Sequence, residues 1–270
     1  MPRHERLHYI NDALPPIVDA DKILVRVIAS SYVLNESISA DVDSNLRPQY
    51  YKDFYTHTVE KNSFAKKSAI LGMGTATHMD SACHVYMEPC TSITDYNITQ
   101  YTMTPLRIIN VTEQVFGGNG DSDYEVTVAD LLASEAAFGV FENRAFIQML
   151  SGWSNRVYHT ELYENRDASG QKHFPGWSPE AVEWLLTNRP WISGIGVDTS
   201  SIDAAVNWHF NAHYMINAFV KVSVENVKLT DRNIPLTGSY INNVPNLFQG
   251  GPEATVAGTI HVYRRRRPNQ

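Results

Sequence analysis

The stretch Gly72-Met-Gly-Thr-Ala-Thr-His78-Met-Asp80-Ser-Ala-Cys-His84 places two imidazoles and a carboxylate within seven residues. Its glycines do not make a phosphate loop, because no Lys-Ser/Thr pair follows and the spacing is not that of a dinucleotide fingerprint. His78 and Asp80 are two apart, so in an extended chain they share a face. His84 lies four further on, room enough for the chain to turn back. Such a set suits a zinc, manganese or iron ion. It equally suits a His–carboxylate base pair or a polar turn with surface histidines. Cys83 beside His84 is a candidate thiolate or a small packed thiol.

Three further groups carry chemistry-bearing types. His209 and His213 are four apart, the spacing of one helix face. No glutamate follows the first, so this is not a zincin motif, and His209 reads as a core residue. Glu225 ends the run Val220-Lys-Val-Ser-Val-Glu225, where valines alternate with Lys221, Ser223 and Glu225. A carboxylate there is costly unless paired or functional; a Lys221–Glu225 surface pair is the plain alternative. Gly194-Ile-Gly-Val-Asp198-Thr-Ser-Ser201-Ile-Asp203 is an apolar strand ending in acidic and hydroxyl residues. Strand ends of this kind build sites in α/β sheets, and a strand-to-loop cap would look the same.

Apolar runs at 23–29, 106–111, 145–150, 192–197, 219–227 and 255–262 are short and bounded by turn residues, which predicts strands. Thr127 with Asp130 predicts a capped helix start, Ser178-Pro179 a second, and 211–218 a third helix. Many strands and few helices imply one α/β or α+β domain.

Bulk properties narrow the function. The 270 residues carry a net charge of −7 with 43% hydrophobic and 19% charged residues, which describes a globular chain rather than a disordered one. That charge disfavours nucleic-acid and anionic-membrane partners. No run is long and apolar enough for a membrane span, and the N-terminal residues lack a signal-peptide core. Two cysteines, Cys83 and Cys90, are too few for a disulfide framework, which predicts a reducing, cytoplasmic setting. Arg264–Arg267 reads as a solvated basic tail.

Several of these pieces fall in one order. The sequence resembles the cyclase-like superfamily of bacterial kynurenine formamidase, isatin hydrolase and trans-dienelactone hydrolase. Thr77-His78-Met-Asp80-Ser-Ala82-Cys-His84 resembles the second half of its H-x-G-T-H-x-D-x-P-x-H signature. Pro105-Leu-Arg-Ile-Ile-Asn-Val, Ser151-Gly-Trp153, Phe174-Pro-Gly-Trp-Ser-Pro-Glu-Ala181, Gly196–Asp203, and His213 with Glu225 resemble later family segments, covering about residues 25 to 262. The resemblance implies a single domain over 1–270, with an arm at 1–22, a tail at 264–270, and a β-barrel-like (swivelling β/β/α) core flanked by helices. It implies a homo-oligomer, dimer or tetramer, acting on a small aromatic molecule. His78, Asp80, His84, His213 and Glu225 would hold Zn2+ or Mn2+, with His84, Glu225 and His213 also acting catalytically. Trp153, Asp198 and Ser201 would contact substrate.

The implied reaction is metal-assisted hydrolysis of an aromatic formamide, lactam or lactone. One departure matters. The family's first histidine falls at Gly74, its Gly at Ala76 and its Pro at Ala82. Asp80, His84, His213 and Glu225 would suffice for one ion, or His57 or His209 would fill the gap. Otherwise the metal is gone and the same groups run metal-free dehydration or cyclisation of a natural-product intermediate. A catalytically dead binding protein is the third reading, set against the retention of both His84 and Glu225.

Overall fold

The helix starts form as the sequence dictates. In the computed structural model, which describes residues 22–31, 49–55, 64–70, 72–86, 89–231 and 233–265, the Asp130 amide donates to Thr127 Oγ1 while Asp130 Oδ2 accepts from the Thr127 amide. The strands are β1 (Lys22–Ala29), β2 (Gln49–Tyr55), β3 (Phe64–Ile70), β4 (His78–Asp80), β5 (Thr104–Asn110), β6 (Glu125–Val126), β7 (Phe146–Leu150), β8 (Gly176–Trp177), β9 (Gly194–Gly196), β10 (Val222–Glu225), β11 (Ser239–Pro245) and β12 (Glu253–Arg265). The helices are α1 (Thr112–Phe116), α2 (Val128–Phe138), α3 (Thr160–Glu164), α4 (Pro179–Asn188) and α5 (Asn211–Ala218).

Strands β12-β11-β5-β7-β9-β10-β4 pair in that order, and β4 pairs back to β12, closing a barrel. The pairs β5–β7, β7–β9 and β9–β10 are parallel and the rest antiparallel. Parallel neighbours need long crossovers, and α1 and α2, then α3 and α4, then α5 supply them in turn. The chain is thus a single domain with a mixed barrel flanked by helices. β1 extends β12 outside the ring, β2 pairs with β3, and β6 with β8.

Strand alternation sorts the barrel's two faces. Met79, Leu106, Ile108, Phe146, Val222, Val224, Ile241, Ala254 and Ile260 form one buried apolar cluster drawn from six of the ring's strands. A second cluster joins Ile109, Ile147, Met149 and Ile195 to helix residues such as Leu131, Val182, Leu185, Ala212 and Ile216. Burying a side chain of this size stabilises by about 1.5–3 kcal/mol, so the outer cluster fixes α5 against the barrel wall.

Two expectations are corrected. Cys83 and Cys90 form a disulfide, Cα–Cα 5.1 Å, so the inference of a reducing, cytoplasmic setting loses its premise; a short local loop needs no multi-bridge framework. Arg264 and Arg265 belong to β12, opposite Ile23 and Lys22, because β1 offers them a strand partner, so the basic run does not start as a tail. Residues 1–21, His57 and 266–270 lie outside the described residues. Among the described residues no helix is long and apolar enough to cross a membrane.

Candidate metal centre

Three adjacent strands build the site. β4 lies between β10 and β12, with Glu225 and Thr255 opposite His78, and Ser223 and Glu253 opposite Asp80. Because Met79, Val222, Val224 and Ala254 join the barrel's apolar cluster, His78, Asp80, Ser223, Glu225 and Glu253 must project from the other face. α5 packs there and adds His213.

Asp80 and Glu225 each divide their two oxygens between the protein and one common point, and Glu253 stands between that point and His84. Asp80 Oδ2 accepts from Ser223 Oγ at 2.9 Å, and its Oδ1 lies 3.3 Å from His78 Nε2. Glu225 Oε1 accepts from the Ile202 amide at 2.9 Å, and its Oε2 is 3.3 Å from the same His78 Nε2. Glu253 places Oε1 3.7 Å from His84 Nδ1 and Oε2 3.8 Å from His78 Nε2. His78 is oriented from behind, its Nδ1 lying 2.8 Å from the Ala76 carbonyl. Nδ1–H donates there, which turns Nε2 toward three carboxylates. Ala76 holds a left-handed φ of 58° to present that carbonyl; the position suits the family's glycine, and alanine tolerates it at a cost of about 1 kcal/mol.

His213 is held in the same manner. Its Nδ1 is 2.6 Å from Asp203 Oδ2, which also accepts the His213 amide, while Oδ1 accepts the Ala212 amide. The ring's Nε2 then points to Glu225 Oε1 at 3.0 Å and Asp80 Oδ2 at 3.7 Å. His84 follows the turn 82–84, its side chain 32% exposed and its ring 5.4 Å from that of His213. It therefore stands at the open edge, while His78, Asp80, His213 and Glu225 are buried.

The electrostatics follow from burial against convergence. Burial opposes protonation of His78, but Asp80, Glu225 and Glu253 outweigh it and push its pKa up to about 10. Burial likewise opposes charge on His213, and Asp203, Asp80 and Glu225 raise it well above the usual imidazole range. Glu225 is held low despite burial by the two imidazoles. Burial, with Asp80 adding to it and His78 opposing, raises the Glu253 carboxyl.

This arrangement fits a divalent cation. Ligand atoms about 2.1 Å from one ion stand roughly 3.0–3.4 Å apart, the separation seen between His78 Nε2 and its two nearest carboxylates. Buried polar atoms are normally hydrogen-bonded, yet Asp80 Oδ1 has no such partner. An ion would satisfy Asp80 Oδ1. His78, Asp80 and Glu225 offer one ligand atom each within 4.8 Å of one another, as do Asp80, His84 and Glu253.

The other candidate residues do not join the metal-ligand groups. Asp198, buried and raised by burial against its hydrogen bonds, accepts from the Ser151 amide and hydroxyl, the Gly152 amide and the Ser154 hydroxyl, tying β7's end to β9's. Trp153 is fully buried, stacked on Phe116, with Nε1 donating to the Tyr163 carbonyl. The Ser201 carbonyl accepts from Thr199, and its hydroxyl accepts the Asp203 amide. His209 is exposed, its ring 3.7 Å from that of Trp208, so it is neither a core residue nor the missing ligand. Glu225 pairs with the two histidines rather than with Lys221.

Glu253 escaped the sequence, and Asp203 was legible only as the end of the Gly194–Asp203 run. Glu253 opens a strand after Pro252 with nothing to separate it from a surface carboxylate; only β4–β12 register brings it in. Asp203 carried a weak signal, an acid ten residues before His213.

A closed mixed barrel with His, Asp and Glu on one three-strand face defines the class of protein. The Cyclase family profile matches residues 31–204, and the chain belongs to that family. An isatin hydrolase of Roseibium aggregatum is 25% identical over 197 residues, covering 70% of this chain and 71% of that protein. The structure of isatin hydrolase A from Ralstonia solanacearum is similar with TM-score 0.74 at 24% identity, covering 88% and 92% of the two chains. A protein described as a potential metal-dependent hydrolase with cyclase activity is similar with TM-score 0.63 at 16% identity, covering 90% and 99%.

Proposed function

We propose that this chain is a hydrolase of the cyclase-like superfamily that uses a divalent cation, Mn2+ or Zn2+, to open the acyl C–N or C–O bond of an aromatic lactam, formamide or lactone. The observation that carries the reading is the convergence of Asp80 Oδ1, Glu225 Oε2 and Glu253 Oε2 on His78 Nε2. The isatin hydrolase relatives supply the lactam precedent.

Held by His78, Asp80 and Glu225, a cation supplies Lewis acidity and lowers the pKa of water. The chain's own groups do the rest. His213, locked by Asp203, presents Nε2 beside Glu225, where it orients the carboxylate and can hold a proton. His84, half-exposed with Nδ1 toward Glu253, can deliver a proton from Nε2 to the leaving nitrogen or oxygen.

An aromatic substrate is supported by the rings at the rim. Phe210 packs edge-on to His213 at 5.8 Å and is 50% exposed. Its φ of 54° is an outlier for an aromatic residue, and such strain clusters at ligand sites. Tyr214 and Tyr86 pair at 5.7 Å, the Tyr86 hydroxyl donating to the Tyr214 carbonyl.

The test is a panel of isatin, an aryl formamide and an aromatic lactone, followed by chromatography with Mn2+-loaded protein. Ring opening or deformylation of at least one, abolished by chelator, is expected. No turnover above background would overturn the reading. Turnover that survives chelation would favour metal-free acid–base chemistry instead.

A further inference from the structure

Gly74 stands where the resembled signature has its first histidine, and its backbone does not explain the glycine. Its φ is not positive, unlike Gly139, Gly152, Gly170, Gly238 and Gly250, so an ordinary side chain is conformationally allowed. What a side chain there would have to displace is Glu253. A Cβ at Gly74 would overlap Glu253 Oε2, stand 2.9 Å from Glu253 Cδ and 3.4 Å from His78 Nε2. The absent side chain and the Glu253 carboxylate occupy the same volume, at the same edge of the same cluster.

We infer that Glu253 replaces the lost histidine as a metal ligand, and that Gly74 is what makes room for it. The inference rests on the divalent-cation reading above. The buried Asp80 Oδ1, without a hydrogen-bond partner, lies 3.3 Å from the same His78 Nε2, and Asp80, His84 and Glu253 each offer a ligand atom within 4.8 Å of one another. Glu253 also links the centre to the edge, since its second oxygen faces His84.

The exchange alters the donor set. An anionic oxygen stands where a neutral imidazole nitrogen would have been, so His78 Nε2 is joined by three carboxylates. Oxygen-rich sets suit Mn2+ and Mg2+, and imidazole-rich sets suit Zn2+. Glu253 therefore moves the site's relative preference from Zn2+ toward Mn2+, compared with the same chain carrying a histidine at 74.

The test is direct binding of Mn2+ and Zn2+ to chelator-stripped full-length protein, by calorimetry and by elemental analysis after gel filtration, with circular dichroism as the folding control. Wild type should retain about one Mn2+ per chain. Glu253→Gln, nearly isosteric, should weaken Mn2+ binding roughly 10- to 100-fold. Gly74→Ala should do the same by displacing the carboxylate. Gly74→His/Glu253→Ala should recover binding to within about tenfold of wild type, with the Zn2+:Mn2+ affinity ratio raised at least tenfold. Wild-type Mn2+ affinity in folded Glu253→Gln and Gly74→Ala would overturn the inference and leave the cation reading standing. Wild type that binds neither ion would overturn that reading, and this inference with it.

Discussion

Asp203→Asn isolates how the centre is held in register. Asp203 is buried and accepts three hydrogen bonds: the Ala212 amide at 2.8 Å on Oδ1, and the His213 amide at 3.2 Å and Nδ1 at 2.6 Å on Oδ2. Asparagine keeps one acceptor oxygen. If that oxygen stays with Ala212, the new NH2 meets two N–H donors and both bonds are lost. If it flips, Ala212 loses its acceptor at the start of α5. Losing a bond to a buried charged acceptor costs about 1.5–3 kcal/mol, and an unsatisfied buried donor about 1–3, so a loss of about 3 kcal/mol in unfolding free energy is expected. In the first orientation His213 must also accept at Nδ1, which moves its proton to Nε2 and turns that nitrogen away from its role beside Glu225. Groups that orient a site in this way typically contribute 10- to 100-fold to metal affinity or activity. Urea unfolding read by fluorescence, with kcat/KM on the best substrate of the panel, measures both. Glu at the position should not rescue, because its longer arm misplaces the oxygens. Stability within 0.5 kcal/mol and a rate within twofold of wild type would refute the assignment of Asp203 as the residue positioning His213.

Other consequences are independent of Asp203. His84→Gln should lower kcat about 100-fold with KM little changed, as steady-state kinetics would show; an unaltered kcat removes His84 from proton transfer. Cys83→Ser/Cys90→Ser should lower unfolding free energy by about 2 kcal/mol, the loop-closure value for a separation of 7 residues, by urea melts without reductant; unchanged stability would count against the bridge. His173, 2.6 Å from Asp123 and 3.5 Å from Asp167, has a pKa raised by these carboxylates against slight burial. A raised folded pKa means that its contribution is complete below about 6.5 and is lost as pH rises through the raised value. Wild type should therefore exceed His173→Asn in stability at pH 5.5 and converge with it by pH 9; a constant difference would contradict this.

The legible part of the fold is what local chemistry decides. Thr127–Asp130 and Ser178-Pro179 announce α2 and α4 because a cap needs neighbouring residues alone. The alternation in Val222–Glu225 puts Glu225 opposite the valines for the same reason. His78, Asp80, His84, His213 and Glu225 were all legible as candidates, and all meet at one cluster. What escaped depends on long-range register. Glu253 reaches Asp80 across a sequence separation of 173 only because β12 pairs with β4, and no local pattern encodes that pairing. The Cys83–Cys90 bridge escaped because counting cysteines addresses a stabilising framework, whereas this bridge closes one turn beside His84. Gly74 reads in the sequence as the loss of one ligand; the Glu253 carboxylate fills the volume its side chain would take.

Titration of chelator-stripped protein with Mn2+, following bound metal and turnover of the best substrate in the same samples, decides whether the cluster is a working metal centre. Stripped protein should be inactive, and activity should rise in proportion to bound metal, saturating near one ion per chain. Full activity with less than a tenth of an equivalent of bound metal would contradict a working metal centre.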